Sequence, residues 1–157
     1  MVELLAVLGV TIVMGALAVS AYRTYAVRSQ IEASVMGAAA IQQRVARAFK
    51  RDGTPPPDLE AAGLAAGLAE AAAEFVESVQ IVNGRIELRF GRSADAAIMG
   101  SVLSLTPFET AEQDVVWICG NRAPSVGLQP LGFVGGSRQA TQVLTTIDAR
   151  YLPSICR

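Results

Sequence analysis

The sequence predicts an α+β protein in which a long N-terminal α-helix packs on a four-stranded antiparallel β-sheet. Three observations carry that prediction. An apolar N-terminal run passes without a stop signal into residues of helical period. An Asn-Gly pair joins two segments of alternating apolar and polar character, and two more short apolar segments follow it.

The helix comes first in the chain. Of residues 1–27, 20 are apolar and only Glu3 and Arg23 are charged, whereas the other 130 residues have an ordinary globular composition. Leu4 to Tyr22 is a run of 19 residues without a formal charge, about 28 Å as a helix, one bilayer hydrocarbon thickness. A secretory signal would open on basic residues and close at a small-residue cleavage site. Here Met1-Val2-Glu3 opens the stretch, and nothing after Ser20 stops it. Ile31, Val35, Ala38, Ile41, Val45 and Phe49 recur at steps of three or four. Arg44, Arg47, Lys50 and Arg51 crowd the last turns, where cations suit the helix dipole. Asp52-Gly53-Thr54-Pro55-Pro56-Pro57 then ends the pattern. The expectation is one helix of about 50 residues, apolar all round at first and amphipathic afterwards.

The sheet follows. Residues 58–73 are alanine-rich with Gly63 and Gly67, and their pattern fits a short helix or a packed loop equally. Val79–Val82 and Arg85–Phe90 flank Asn83-Gly84, a pair that accepts the positive φ values of a type I′ turn. Ile86, Leu88 and Phe90 alternate with Arg85, Glu87 and Arg89. Ser101–Thr106 and Val115–Cys119 read as two further strands, the last expected to be central because it is almost wholly apolar. Four antiparallel strands have one face to bury, and the stripe from Ile31 to Phe49 is the expected cover.

Composition narrows the chemistry. The chain is 52% apolar with a mean hydropathy of +0.39, too apolar for a disordered tail. A net charge of −1 gives no electrostatic case for nucleic-acid binding over the whole surface. Histidine is absent, which removes Ser-His-Asp triads, Cys-His pairs and histidine metal sites. No phosphate-binding glycine motif, metal-ligand cluster or nucleophile elbow is present, so no catalytic residue, cofactor or metal is expected. Glu70, Glu74 and Glu77 read as a solvated face and Gly135-Gly136-Ser137-Arg138 as a loop. The basic group Arg44, Arg47, Lys50 and Arg51 is accounted for by its place at a helix C-terminus. Cys119 and Cys156 have 36 residues between them and form either a disulfide or two buried thiols. Glu3 stands out: a carboxylate at the edge of an apolar segment is costly unless paired. It either lies at headgroup level or meets a cation of another copy.

Val2-Glu3-Leu4-Leu5, the aliphatic run and Tyr22-Arg23-Thr24-Tyr25-Ala26-Val27-Arg28-Ser29-Gln30 resemble the N-terminus of a type IV pilin over about 30 residues. Trp117-Ile118-Cys119 and the closing Tyr151-Leu152-Pro153-Ser154-Ile155-Cys156 resemble the disulfide-bounded C-terminal loop of such pilins. Two departures accompany the match. Mature family members carry two more residues ahead of the glutamate, beginning with an N-methylated phenylalanine. Either this sequence omits the leader and the first mature residues, which is the expectation, or the protein is processed differently. Ser20 also stands where the family often has a helix-loosening proline, so the helix stays continuous or Gly9 and Gly15 supply its flexibility.

The resemblance implies a pilin fold. Residues 1–27 would form the membrane and filament-core half of the helix, and residues 28–157 the head. Within the head it implies an amphipathic helix half over 28–51, a connecting loop over 52–74, a sheet over 75–119 and a disulfide-bounded loop over 119–156. It implies an assembly set of Met1, Glu3, Leu4, Leu5, Gly9 and Gly15, and a Cys119–Cys156 disulfide in an oxidising compartment. The expected partners are other copies of the chain, the assembly machinery of the inner membrane, and lipid before assembly, with no nucleic acid for the subunit itself. A minor pilin or a type II secretion pseudopilin shares the helix, although pseudopilins commonly lack the disulfide loop. A single-pass anchored periplasmic protein explains the anchor but not Glu3.

Overall fold

The computed structural model describes residues 2–65, 74–134 and 138–157. Helix α1 spans Val2–Gly37 and α2 spans Ala39–Asp52. The expected single long helix is present, with one turn residue, Ala38, between its two segments. Ala38 keeps α-region angles (φ −72°, ψ −8°), and the bonds Ala38 N–H to Ser34 O (3.1 Å) and Gln42 N–H to Ala38 O (2.9 Å) carry the ladder across it. The local cause is Ser34, whose hydroxyl donates to Gln30 O at 2.8 Å, next to Gly37 with no side chain to stiffen the turn. Position 20 lies inside unbroken helix. Gly53 ends α2 in the left-handed conformation (φ 68°), its N–H bonded to Phe49 O at 2.8 Å.

The strands are β1 Val76–Val82, β2 Arg85–Phe90, β3 Val102–Glu109, β4 Val115–Cys119 and the short β5 Gln129–Pro130. They pair antiparallel in the order β1-β2-β3-β4, with β5 also on β3. The β1–β2 turn has Asn83 at φ 51° and Gly84 at φ 83°, as a type I′ turn requires. Residues 59–63 form turns, and 66–73 lie outside the described residues.

Strand β3, not β4, is the central strand. It pairs β2 through Val102–Leu105 and β4 through Leu105–Glu109, and all its residues but Val102 are buried. β4 has Val116 exposed, so its apolar composition marks packing rather than a central place. β3 also runs through Pro107. The Pro107 carbonyl accepts from Leu131 N–H (3.2 Å), so its missing donor lies on that side, beyond the last β2 pair.

One buried cluster joins Val27, Ile31, Ala38, Ile41 and Val45 of the helix to Ile86, Leu88 and Phe90 of β2 and Leu103 and Leu105 of β3. The strands were expected to have one face to bury, and the opposite face is partly covered as well. Arg85 is buried; it pairs with Glu87 (2.6 Å) and donates to Thr141 O (2.6 Å), while the Ser104 hydroxyl donates to Val143 O. The cover is the returning C-terminal segment. Thr146 N–H bonds Val102 O at 3.1 Å and Thr145 Oγ1 donates to the same carbonyl at 2.6 Å. That segment is tied down by a disulfide between Cys119 and Cys156, whose Cα atoms are 4.5 Å apart.

Candidate functional site

Among the described side chains of α1, the first that is buried is Val27, more than six turns from the start of the helix. Leu4, Val7, Leu8, Val10, Ile12, Val13, Met14 and Val19 are exposed, and at 100° per residue they point all round the helix. A helix apolar on every side belongs inside a larger core or a bilayer. By length and composition α1 can cross a membrane: an 18-residue stretch has mean hydropathy 1.5, and none of it is buried within the chain.

The expected assembly residues take these places. Glu3 and Leu4 lie in the first turn of α1, both exposed, and no ion pair from Glu3 is present among the described residues. Leu5 is in the helix, its side chain outside the described residues, as is Met1 altogether. A Cβ added at Gly9 or Gly15 would meet nothing within 4 Å, so no group of this chain requires glycine there. Among the described residues, Glu3, Leu4, Gly9 and Gly15 lie along a single helix and are not gathered into one site.

The polar end of the pilin-like motif docks the helix on the head, a role the sequence did not reveal. Arg28 donates to Arg150 O through Nη2 (2.7 Å) and Nε (3.2 Å), and Gln30 Oε1 accepts from Asp95 N–H at 2.9 Å. Tyr22 and Tyr25 are exposed just before that anchor, where an amphipathic ring suits a membrane–water boundary. Nothing in the spacing of Arg28 or Gln30 pointed to partners more than 60 residues away.

At the other end, Gly120 holds φ 59° between β4 and the returning segment. A Cβ there would stand 2.7 Å from Cys156 O, and the adjacent Asn121 N–H bonds that carbonyl at 2.9 Å. The disulfide and Gly120 together let chain end and strand approach closely. Asp148 is hydrogen-bonded by the Arg150 guanidinium and by its backbone N–H, which hold the carboxyl below the usual carboxylate range. Among the described residues no group of His, Cys, Asp or Glu is arranged to hold a metal ion.

Comparison with known proteins agrees with this arrangement. The family described as pilin (bacterial filament) matches residues 27–157. The whole chain aligns with the type IV major pilin protein PilE1 of Neisseria gonorrhoeae at 26% identity, covering 84% of that protein. It aligns equally over its full length with a PilE type IV major pilin of the same organism (26%, covering 91%) and with a fimbrial protein of Neisseria meningitidis serogroup B (26%, covering 91%). A head of helix and sheet stapled by a C-terminal disulfide, a protruding apolar helix and these matches place the chain in one family: it belongs to the pilins, as a type IV pilin, a structural filament subunit and not an enzyme.

Proposed function

We propose that the chain is a major pilin that polymerises through its N-terminal helix, after a stage as an inner-membrane protein with its head in the periplasm. The observation that carries this reading is the helix from Leu4 to Val19, apolar on all sides and with every described side chain exposed. In the membrane, lipid covers it. In the filament, the same surfaces pack against helices of neighbouring copies, with the inner-membrane assembly machinery making the transfer. Exchange of lipid for apolar protein gains little, so close helix packing supplies the attraction. Gly9 and Gly15, free of contacts within the chain, offer the backbone approach that such packing needs.

Glu3 pairs with the α-amino group of an adjoining subunit. At 4 Å and an effective dielectric of about 20, the pair gains roughly 4 kcal/mol before desolvation. Most of that is offset by dehydration, so the pair selects axial register more than it adds stability. The resulting extracellular pilus serves adhesion, motility or DNA uptake.

The test is Glu3→Ala in a piliated host, followed by shearing and electron microscopy. The variant is expected to stay membrane-inserted while the filament yield falls sharply. Normal filaments from it would remove the register role. Mass spectrometry of sheared filaments separates the major subunit from a minor pilin or pseudopilin by abundance.

A further inference from the structure

Strand β3 carries a carboxylate on the core side of the sheet. Side chains alternate along a strand, so Leu103, Leu105, Pro107 and Glu109 share one face, where Leu103 and Leu105 join the buried cluster with the helix. Glu109 ends β3, paired with Val115 of β4 on one side and Gln129 of β5 on the other. It is only 4% exposed. A glutamate so buried is normally paired with a cation, because taking its charge out of water is costly. Here no lysine or arginine lies within ion-pair distance of it among the described residues. The one hydrogen bond it receives among them is long, from Val134 N–H to Oε1 at 3.3 Å.

The second carboxylate oxygen is not sealed in. Among the described residues only Thr106 Oγ1 is a buried side-chain polar atom without a partner, so Glu109 Oε2 meets open space. That space is a cavity of about 340 Å³, lined in part by Glu109, Thr110, Glu112, Gln113, Gln129 and Val134. Its residues bring two carboxylates, two amides and a hydroxyl, and none of them is basic. Thr110 Oγ1 accepts from Glu112 N–H (3.2 Å) and Asp114 N–H (3.3 Å), which steadies the loop at the rim. A second cavity of about 500 Å³ shares Glu112, Gln113 and Val134 and reaches Phe49 and Gly53, at the negative end of the α2 dipole. Lys50 also lines it, 3.9 Å from Asp114.

This lining selects a ligand by charge and by hydrogen bonding. A hard divalent cation needs six or more oxygens, and no group of three metal-ligating side chains is gathered among the described residues. An anion would meet two carboxylates. An ammonium or guanidinium head fits: it offsets the buried charge, and its several N–H groups donate to carboxylate, amide and hydroxyl oxygens. Val134, with the Phe49 ring across the second cavity, leaves room for a short carbon chain. We propose that this cavity binds a small organic cation, a primary ammonium or guanidinium on a short carbon chain, with Glu109 as its anchoring carboxylate and Glu112 at the rim. The site lies apart from the N-terminal helix and does not depend on how the chain assembles.

NMR of the full chain in detergent tests this, with butylguanidinium and butylammonium as probes. Both are expected to give saturable shifts at the Thr110, Glu112, Gln113 and Val134 amides, half-complete at about 1 mM. Tetramethylammonium, a cation without N–H donors, and calcium are expected to bind at least about tenfold more weakly. Glu109→Gln removes the charge at nearly constant shape and is expected to weaken butylguanidinium at least about tenfold. Glu112→Lys, at an exposed position, puts a cation in the cavity mouth and is expected to abolish binding, which decides the case even where Glu109→Gln does not fold. A capped Ala-Arg-Ala peptide separates two sources of the head group. Binding as tight as butylguanidinium assigns it to a side chain of a protein partner, and weaker binding to a free molecule. Absence of saturable shifts overturns the proposal, as does equal affinity for tetramethylammonium or calcium, or wild-type binding by Glu112→Lys or by folded Glu109→Gln.

Discussion

Removal of the Cys119–Cys156 bridge tests how the C-terminal third of the head is held. The bridge closes a loop across a sequence separation of 37, and the chain-entropy cost of closing such a loop is about 3.8 kcal/mol at 25 °C. Cys156 is fully buried and Cys119 nearly so, so truncating both to alanine also leaves small voids, adding about 1 kcal/mol. The folded shape does not depend on the bridge alone. Asn121 N–H to Cys156 O (2.9 Å), Thr146 N–H to Val102 O (3.1 Å) and Thr145 Oγ1 to Val102 O (2.6 Å) remain to hold the segment against β3. The loss therefore falls mainly on the unfolded chain, which gains freedom. With an unfolding entropy of about 0.3 kcal/mol/K for a chain of this size, Cys119→Ala with Cys156→Ala lowers Tm by roughly 12–15 °C. Calorimetry of the full chain in detergent measures it, with reduced wild type, which keeps both sulfurs, expected to show the loop-closure part alone, about 12 °C. A fall smaller than about 4 °C would refute the loop-closure argument.

Two further perturbations probe the head. Thr106 is buried in β3, and its hydroxyl has no hydrogen-bond partner among the described residues, so Thr106→Val, close in shape, should stabilise the head by about 1 kcal/mol; a lower unfolding midpoint in denaturant would contradict this. Arg150→Ala removes the guanidinium that holds the Asp148 carboxyl low, and that carboxyl should titrate closer to the ordinary carboxylate range in an NMR pH series. The sign follows from the depressed value: the pair's stabilisation is present above the ordinary carboxylate pKa and is lost as pH falls through the lowered one. An unmoved Asp148 titration would show that the arginine is not the cause.

The most legible parts of this protein rest on local chemistry. The apolar N-terminal run, the amphipathic stripe from Ile31 to Phe49 and the Gly53 stop all follow from helix period and capping, and the structure has them. Asn83-Gly84 dictates its own turn, because few residue pairs tolerate two positive φ values. The fold class and the family were readable for the same reason: a membrane-length helix joined to a polar motif is a continuous feature of the chain. The missed particulars are all matters of what lies opposite what. The alternation of Ile86, Leu88 and Phe90 with Arg85, Glu87 and Arg89 gives no sign that Arg85 is buried and donates to Thr141 O. A period of two tells which residues share a face and says nothing of what covers it.

The sequence by itself determined the helix, the hairpin and the exposed apolar segment, because each depends on neighbours within a few residues. Only the tertiary structure decided that β3 is central, that the disulfide-bounded segment covers the second face of the sheet, and that Arg28 and Gln30 lock the helix to Arg150 and Asp95. These depend on where the chain returns over distances of tens of residues. That path is settled by which buried surfaces and backbone groups find partners at the lowest total free energy, a condition on the whole fold that no local pattern expresses.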